Sequence, residues 1–182
     1  MINEPGGSAV RESLFPMPPP SPTPAAAHNW DLWLAEQGAR FLLFARQQTR
    51  CAADAEDVLQ DALVETWRRA HGRPESPLVY ATIRRRAIDL ARRTGRRQRR
   101  EEDSGSPEWF VASRGDAETA ALLEQEVRRL PEEQREVVTL KVWGGLTFAE
   151  VARSLSIPQG TAASRYRLAV ASLRQALTAL LT

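Results

Sequence analysis

This sequence of 182 residues has one cysteine, two histidines, two methionines and two tyrosines. Cys51 alone excludes an internal disulfide and a cysteine-rich zinc site. His28 and His71, the only histidines, are too few to complete a structural zinc centre in its place. Lys141 is the sole lysine, so nearly all positive charge is arginine. No stretch approaches the ~18 apolar residues that a membrane-spanning helix requires. The N-terminus has no basic segment leading into an apolar core, the pattern of a secretory signal. Together these absences predict a reduced, cytoplasmic protein with no metal, no cofactor and no membrane contact.

What is present is ordinary in amount, 42% apolar and 26% charged, but uneven in placement. Residues 28–100 hold 15 basic against 9 acidic side chains, a net +6. Residues 101–136 hold 4 against 11, a net −7, and residues 137–182 hold 5 against 1, a net +4. Two basic blocks with an acidic one between them suggest two anion-facing surfaces joined by a segment that avoids nucleic acid.

Residues 1–27, with Pro16, Pro18, Pro19, Pro20, Pro22 and Pro24 ahead of Ala25 to Ala27, are expected to form a disordered tail. A proline-rich docking ligand is the other reading. From about Asn29, the residues Trp30, Trp33, Leu34, Phe41, Leu42, Phe44 and Ala45 recur at intervals that mark one buried helix face. A second helix is predicted from Asp54, as N-cap, to Ala70, with Val58, Leu59, Ala62, Leu63, Thr66 and Trp67 as its apolar stripe. A third runs from about Leu78 to Arg97 and turns Val79, Ile83, Ala87, Leu90 and Ala91 inward. Residues 28–100 are thus expected to be one domain. Acids, Gly105, Ser106 and Pro107 mark residues 101–117 as a linker, in which Trp109 and Phe110 call for something to pack on. Residues 118–182 form a second helical unit. The fold class is all-α: two small helical domains joined by a flexible linker, the second containing a helix-turn-helix.

Two motifs in the first domain carry chemistry. Asp57, Asp61 and Glu65 lie four apart and place three carboxylates on one helix face. Such a set suits a hard cation, and hence a carboxylate-dependent enzyme such as a nuclease. No histidine or glycine-rich loop accompanies it, and Arg68 and Arg69 follow within a turn, so a solvated or partner-facing surface is the simpler reading. Residues 84–100 then contain nine arginines, opposed only by Asp89. Arg85, Arg92, Arg96 and Arg99 share one face, with Arg86, Arg93, Arg97 and Arg100 beside it. Repulsion at that density calls for counter-charges, and nucleic-acid phosphates supply them. Tyr80 lies close by for stacking on unpaired bases.

The last third, Leu130 to Leu177, has the pattern of a helix-turn-helix. Thr147-Phe-Ala-Glu150 fits a capping box, and Val151, Ala152 and Leu155 face inward behind it. After the break from Ser156 to Pro158, Gln159, Thr161, Ser164 and Arg165 fall in the first two turns of the next helix, the part that reaches base edges. Arg167 follows them. Leu168, Ala169, Leu173 and Leu177 are expected to hold this helix on its core.

In this order, the pieces resemble the bacterial RNA polymerase sigma factors of the extracytoplasmic-function (ECF) group. Asp54-Ala-Glu-Asp-Val-Leu-Gln-Asp-Ala-Leu-Val-Glu-Thr-Trp-Arg is similar to the family's polymerase-docking motif. Arg84 to Arg93 resembles its promoter-melting helix. Leu130-Pro-Glu-Glu-Gln-Arg-Glu-Val-Val, Gly145-Leu-Thr-Phe-Ala-Glu-Val-Ala and Gly160-Thr-Ala-Ala-Ser-Arg165 resemble its helix-turn-helix domain.

The resemblance implies a non-enzymatic initiation subunit that docks on core RNA polymerase through Asp57, Gln60, Asp61 and Glu65. It implies contacts to the start-proximal promoter DNA from Tyr80, Arg84, Arg85, Arg92, Arg93 and Arg96. Gln159, Thr161, Ser164, Arg165 and Arg167 would read the upstream element, and an anti-sigma factor is implied as a further partner. A stand-alone helix-turn-helix regulator is the alternative. The chain departs from the family at Leu78, Arg85, Ser156 and Pro158, where tryptophan, asparagine, glycine and serine are frequent. It also has Ala163, Leu168, Val170 and Ala171 at commonly basic positions, which implies fewer phosphate contacts.

Overall fold

The computed structural model describes residues 24–95 and 117–180. They form seven helices: α1 (Pro24–Gln48), α2 (Ala52–Ala70), α3 (Ser76–Gly95), α4 (Ala117–Arg129), α5 (Glu132–Val142), α6 (Phe148–Leu155) and α7 (Gln159–Leu180). There is no strand among the described residues. The linker at 101–116, with Trp109 and Phe110, lies outside them, as does the tail up to residue 23. The tail's expected end at residue 27 is corrected, because α1 already starts at Pro24. A proline has no N–H to lose in a first turn, and Ala25 to Ala27 are the strongest helix formers.

The first domain is α1 to α3, packed around aromatic rings. Phe41 and Phe44 of α1 are fully buried and meet the ring of Tyr80 of α3 edge-on, at 4.9 and 5.4 Å between centroids. Trp30 meets Trp67 of α2 edge-on at 4.6 Å. Helix α2 offers small residues to this cluster: Ala55, Val58, Ala62 and Thr66, spaced three and four apart, are its buried stripe. Its N-cap is Cys51 rather than Asp54, with the sulfur accepting the Asp54 N–H at 3.4 Å. His71, in the left-handed region at φ 51°, ends it.

The second domain is α4 to α7. Between α5 and α6, Gly144 leaves no room for a side chain: a Cβ there would sit 2.5 Å from the Leu140 carbonyl oxygen. Gly145 takes φ +67°, which glycine adopts freely. Lys141 fastens the turn by donating to the Leu146 carbonyl at 2.9 Å. Helix α6 is only 8 residues long and is fixed at both ends. The Thr147 N–H and hydroxyl each donate to Glu150 at 2.7 Å, while the Glu150 N–H donates back to the hydroxyl. At the other end Ser156 sits in the left-handed region at φ 56° and the Ile157 N–H reaches the Ala152 carbonyl. The ring of Phe148 then meets that of Tyr166 edge-on and ties α6 to α7.

The two domains share one core. Val137 and Leu140 of α5, Leu146, and Val151, Ala152 and Leu155 of α6 belong to the same buried cluster as Phe41, Val79 and Ile83. Helix α3 lies along α6, and α1 touches α5. Ser154 of α6 donates to the Pro77 carbonyl at 3.3 Å across this seam.

Two stability tests follow from the turn around α6. Ser156→Gly is expected to raise stability by up to about 1 kcal/mol, because a non-glycine residue is strained at this φ; a lower urea midpoint would contradict it. Thr147→Ala should cost about 1 kcal/mol at neutral pH. Hydrogen bonds from the Thr147 backbone and hydroxyl hold the Glu150 carboxyl below its usual range. A depressed folded-state pKa gives stability that is present above the ordinary glutamate value and lost as pH falls through the depressed one. The Thr147→Ala deficit should therefore shrink on acidification, as unfolding curves across pH can measure.

Candidate nucleic-acid interface

Helix α3 serves two environments at once. Val79, Tyr80, Ile83 and Ala87 are its buried face, and the arginines of residues 84–93 lie around the rest. Their repulsion is relieved from neighbouring helices. Arg85 pairs with the Glu65 carboxylate of α2, and Arg86 donates to the same carboxylate at 2.8 and 3.0 Å. Arg84 donates through Nε to Glu136 of α5 at 2.6 Å. Arg92 and Arg93 are exposed, with Asp89 3.9 Å from Arg92. Arg96 lies outside the described residues. One expected contact is corrected: Tyr80 is 1% exposed, its ring held between Phe41 and Phe44, so it presents no stacking surface. Burial, opposed only weakly by Arg40, pushes its hydroxyl pKa well up.

The acidic face of α2 divides in two. Asp57, Gln60 and Asp61 are exposed, and Arg86 lies 3.5 Å from Asp61. Glu65 is turned to α3 instead. Burial alone would raise its carboxyl pKa, but hydrogen bonds from Arg86 and Arg85 outweigh this and hold it below the usual range. Its contacts are thus intramolecular. The side chain that joins the exposed face in its place is Val64, 44% exposed one turn from Gln60; it lies outside the predicted apolar stripe and carries no charge to mark it as a contact. Among the described residues no group of three or more His, Cys, Asp or Glu is placed to hold a metal ion.

On α7 the first turns are open. Gln159 and Arg167 are exposed, and Thr161, Ser164 and Arg165 are half-buried. Arg165 is braced by Glu133 of α5 at 2.6 Å, so its guanidinium is oriented by the protein itself. Leu168 is 54% exposed rather than in the core, and Ala169 takes the buried position.

Residues 36–97 match the Sigma-70 region 2 family and residues 120–173 match Sigma-70, region 4. The ECF RNA polymerase sigma factor RpoE of Cereibacter sphaeroides is 32% identical over 144 residues, 72% of this chain and 77% of that protein. This chain belongs to the ECF sigma factors. Its function is that of an alternative sigma factor in transcription initiation, and the stand-alone regulator is set aside because a region 2 domain precedes the helix-turn-helix. The RNA polymerase sigma-E factor of Streptomyces avermitilis is 34% identical over 73% of this chain and 76% of its own. Among solved structures, the sigma factor RpoE in complex with the anti-sigma factor NepR, from Bartonella quintana, shares the fold at a TM-score of 0.67 and 22% identity, covering 84% of this chain and 97% of that one. CnrH in complex with the cytosolic domain of CnrY shares it at 0.56, with 23% identity over 85% and 93%.

The divided acidic face predicts unlike effects for neighbouring carboxylates of this ECF sigma factor. Glu65→Ala should lower stability by about 1 kcal/mol, a value discounted because Arg85 is half-exposed. Asp57→Ala should leave the melting temperature unchanged. Equal melting temperatures for the two variants would remove Glu65 from its bracing role.

Proposed function

We propose that this ECF sigma factor docks on core RNA polymerase through the exposed face of α2, formed by Asp57, Gln60, Asp61 and Val64. The observation that carries this is the division of α2 itself. Glu65 is consumed by α3, while Asp57 and Gln60 have no partner among the described residues and project beside an exposed valine. An acidic rim around an apolar centre suits a basic, amphipathic partner surface. Arg85, Arg92 and Arg93 contact the start-proximal promoter DNA, and Arg84 joins them once it is released from Glu136. Gln159, Thr161, Ser164 and Arg167 read the upstream element, with Arg165 set in place by Glu133. The protein works as a binding subunit and catalyses no reaction of its own. It acts in the cytoplasm, where the polymerase is, and an anti-sigma factor controls its access to both surfaces. No helix among the described residues is long and apolar enough to cross a membrane.

Run-off transcription with core polymerase tests this, on a promoter found by mapping transcription starts after overexpression. Asp57→Ala and Asp61→Ala should weaken polymerase association with helical content unchanged. Gln159→Ala should cost about 1–3 kcal/mol on the cognate upstream element alone. Arg167→Ala should weaken cognate and scrambled DNA alike and lower the salt slope by about one. Binding to promoter DNA with no transcription from core enzyme would refute the proposal.

A further inference from the structure

The two DNA-facing helices of this chain do not stand apart. Helix α3 packs along α6, and the cleft between α3 and the α6–α7 turn is lined by Arg69, Arg84, Arg85, Arg92, Ser154 and Ser156. Its volume is ≈ 410 Å³, the size of a small-molecule pocket. A duplex does not enter such a space, since it is large enough for its major groove alone to admit an α-helix. Beside the shared apolar core, the polar contacts that close it are few. Ser154 reaches the Pro77 carbonyl, and Arg153 meets Glu75 at 3.5 Å with both side chains largely exposed, a pair of little strength in water.

The exception is Glu136. Its side chain is 3% exposed, and its bond from Arg84 spans the seam from α5 to α3. Burial pushes its carboxyl pKa up, and the Arg84 guanidinium is the group that opposes this most. A buried carboxylate on a guanidinium presents the same charge and oxygens that a phosphate would.

We propose that the α3–α6 seam is an intramolecular clasp in which Glu136 occupies, on Arg84, the place that a promoter phosphate takes when the domains separate. Free protein is closed and its start-proximal DNA surface is incomplete. Engagement of the polymerase opens the seam, and Arg84 exchanges a carboxylate for a phosphate. The charge exchange is balanced, because each state leaves the guanidinium with one anion. Opening exposes the Val79–Leu155 side of the core as well, which keeps the closed form populated until a partner supplies new contacts. This rests on the reading that α3 binds promoter DNA.

The test uses the full chain in two arms. In the first, Glu75→Cys and Arg153→Cys are joined through a reducible bismaleimide in a Cys51→Ser background, where serine keeps the N-cap of α2. The joined protein should lose transcription with core polymerase and regain it on reduction. Joined protein as active as the separated form overturns the clasp. In the second arm, no polymerase is present and a fluorescein-labelled single-stranded oligonucleotide of mixed sequence is titrated at low salt. Glu136→Gln should bind it about tenfold more tightly than wild type, the shift expected when one buried charge-assisted bond stops favouring the closed state. Glu132→Gln, the same change of charge at an exposed position of α5, should gain much less. Equal gains would refute the competition on Arg84. Failure of the unjoined protein to transcribe would overturn the polymerase reading instead, and the oligonucleotide arm would still decide the clasp.

Discussion

Like-charge repulsion along α3 is the constraint around which the rest of the chain is arranged. The helix must bury Val79, Tyr80, Ile83 and Ala87 in the core while carrying five arginines between residues 84 and 93. Repulsion of that kind destabilises a helix unless neighbouring elements offset it. Helix α2 supplies Glu65 to Arg85 and Arg86, and α5 supplies Glu136 to Arg84. Arg92 and Arg93, one to two turns further on, are left to solvent. The offset is therefore graded along the helix, strong near the core and weak toward its C-terminal end, where only Asp89 lies near Arg92. In the proposed function, this least neutralised end is the one that meets promoter DNA.

This grading explains why much of the fold was legible in the sequence and part of the site was not. Helices with an apolar stripe and a clear stop, such as α2 with its Gly72 and α6 with its Thr147–Glu150 box, follow from local chemistry alone. Periodicity says which face of a helix is buried but not what it is buried against. Glu65 and Asp61 are one turn apart and look alike in a sequence; only the position of α3 makes one a brace and the other a surface. Tyr80 misleads for the same reason, because an aromatic beside arginines suits stacking on bases equally well as packing on Phe41 and Phe44. Leu168 errs in the other direction, being apolar, correctly spaced and exposed. The helix start at Cys51 was hidden because a thiol is a weak acceptor and Asp54 is the stronger cap former.

The contact between the domains was the least legible feature, since nothing in a chain of local patterns specifies which two surfaces meet across a linker. Its signature is present only in retrospect, as a carboxylate at 136 that opens the buried run Val137-Val138-Thr139-Leu140. A charged residue in such a run is costly to bury without a partner. In the second domain Arg135 acts on it through its charge while donating to the Arg128 carbonyl, and Arg165 turns to Glu133. Arg84 of the first domain meets the need. The burial of Glu136 thus ties the two halves of the molecule together electrostatically as well as through the shared apolar core.

The same arrangement gives a physical reason for the sparse charge on α7. An arginine-rich helix following the Ser156 turn would add longer-range repulsion to the repulsion along α3. With Ala163, Leu168, Val170 and Ala171 along it, and Arg165 neutralised by Glu133, α7 adds little positive charge behind the Ser156 turn that lines the cleft with Arg84, Arg85 and Arg92. Fewer phosphate contacts weaken the isolated helix on DNA. If the domain closes against α3 when free and is presented to DNA by polymerase when open, as proposed, that loss is offset by the closed state it permits. In the proposed function, selectivity then resides in Gln159 and its neighbours, and most of the affinity in the polymerase that holds them there.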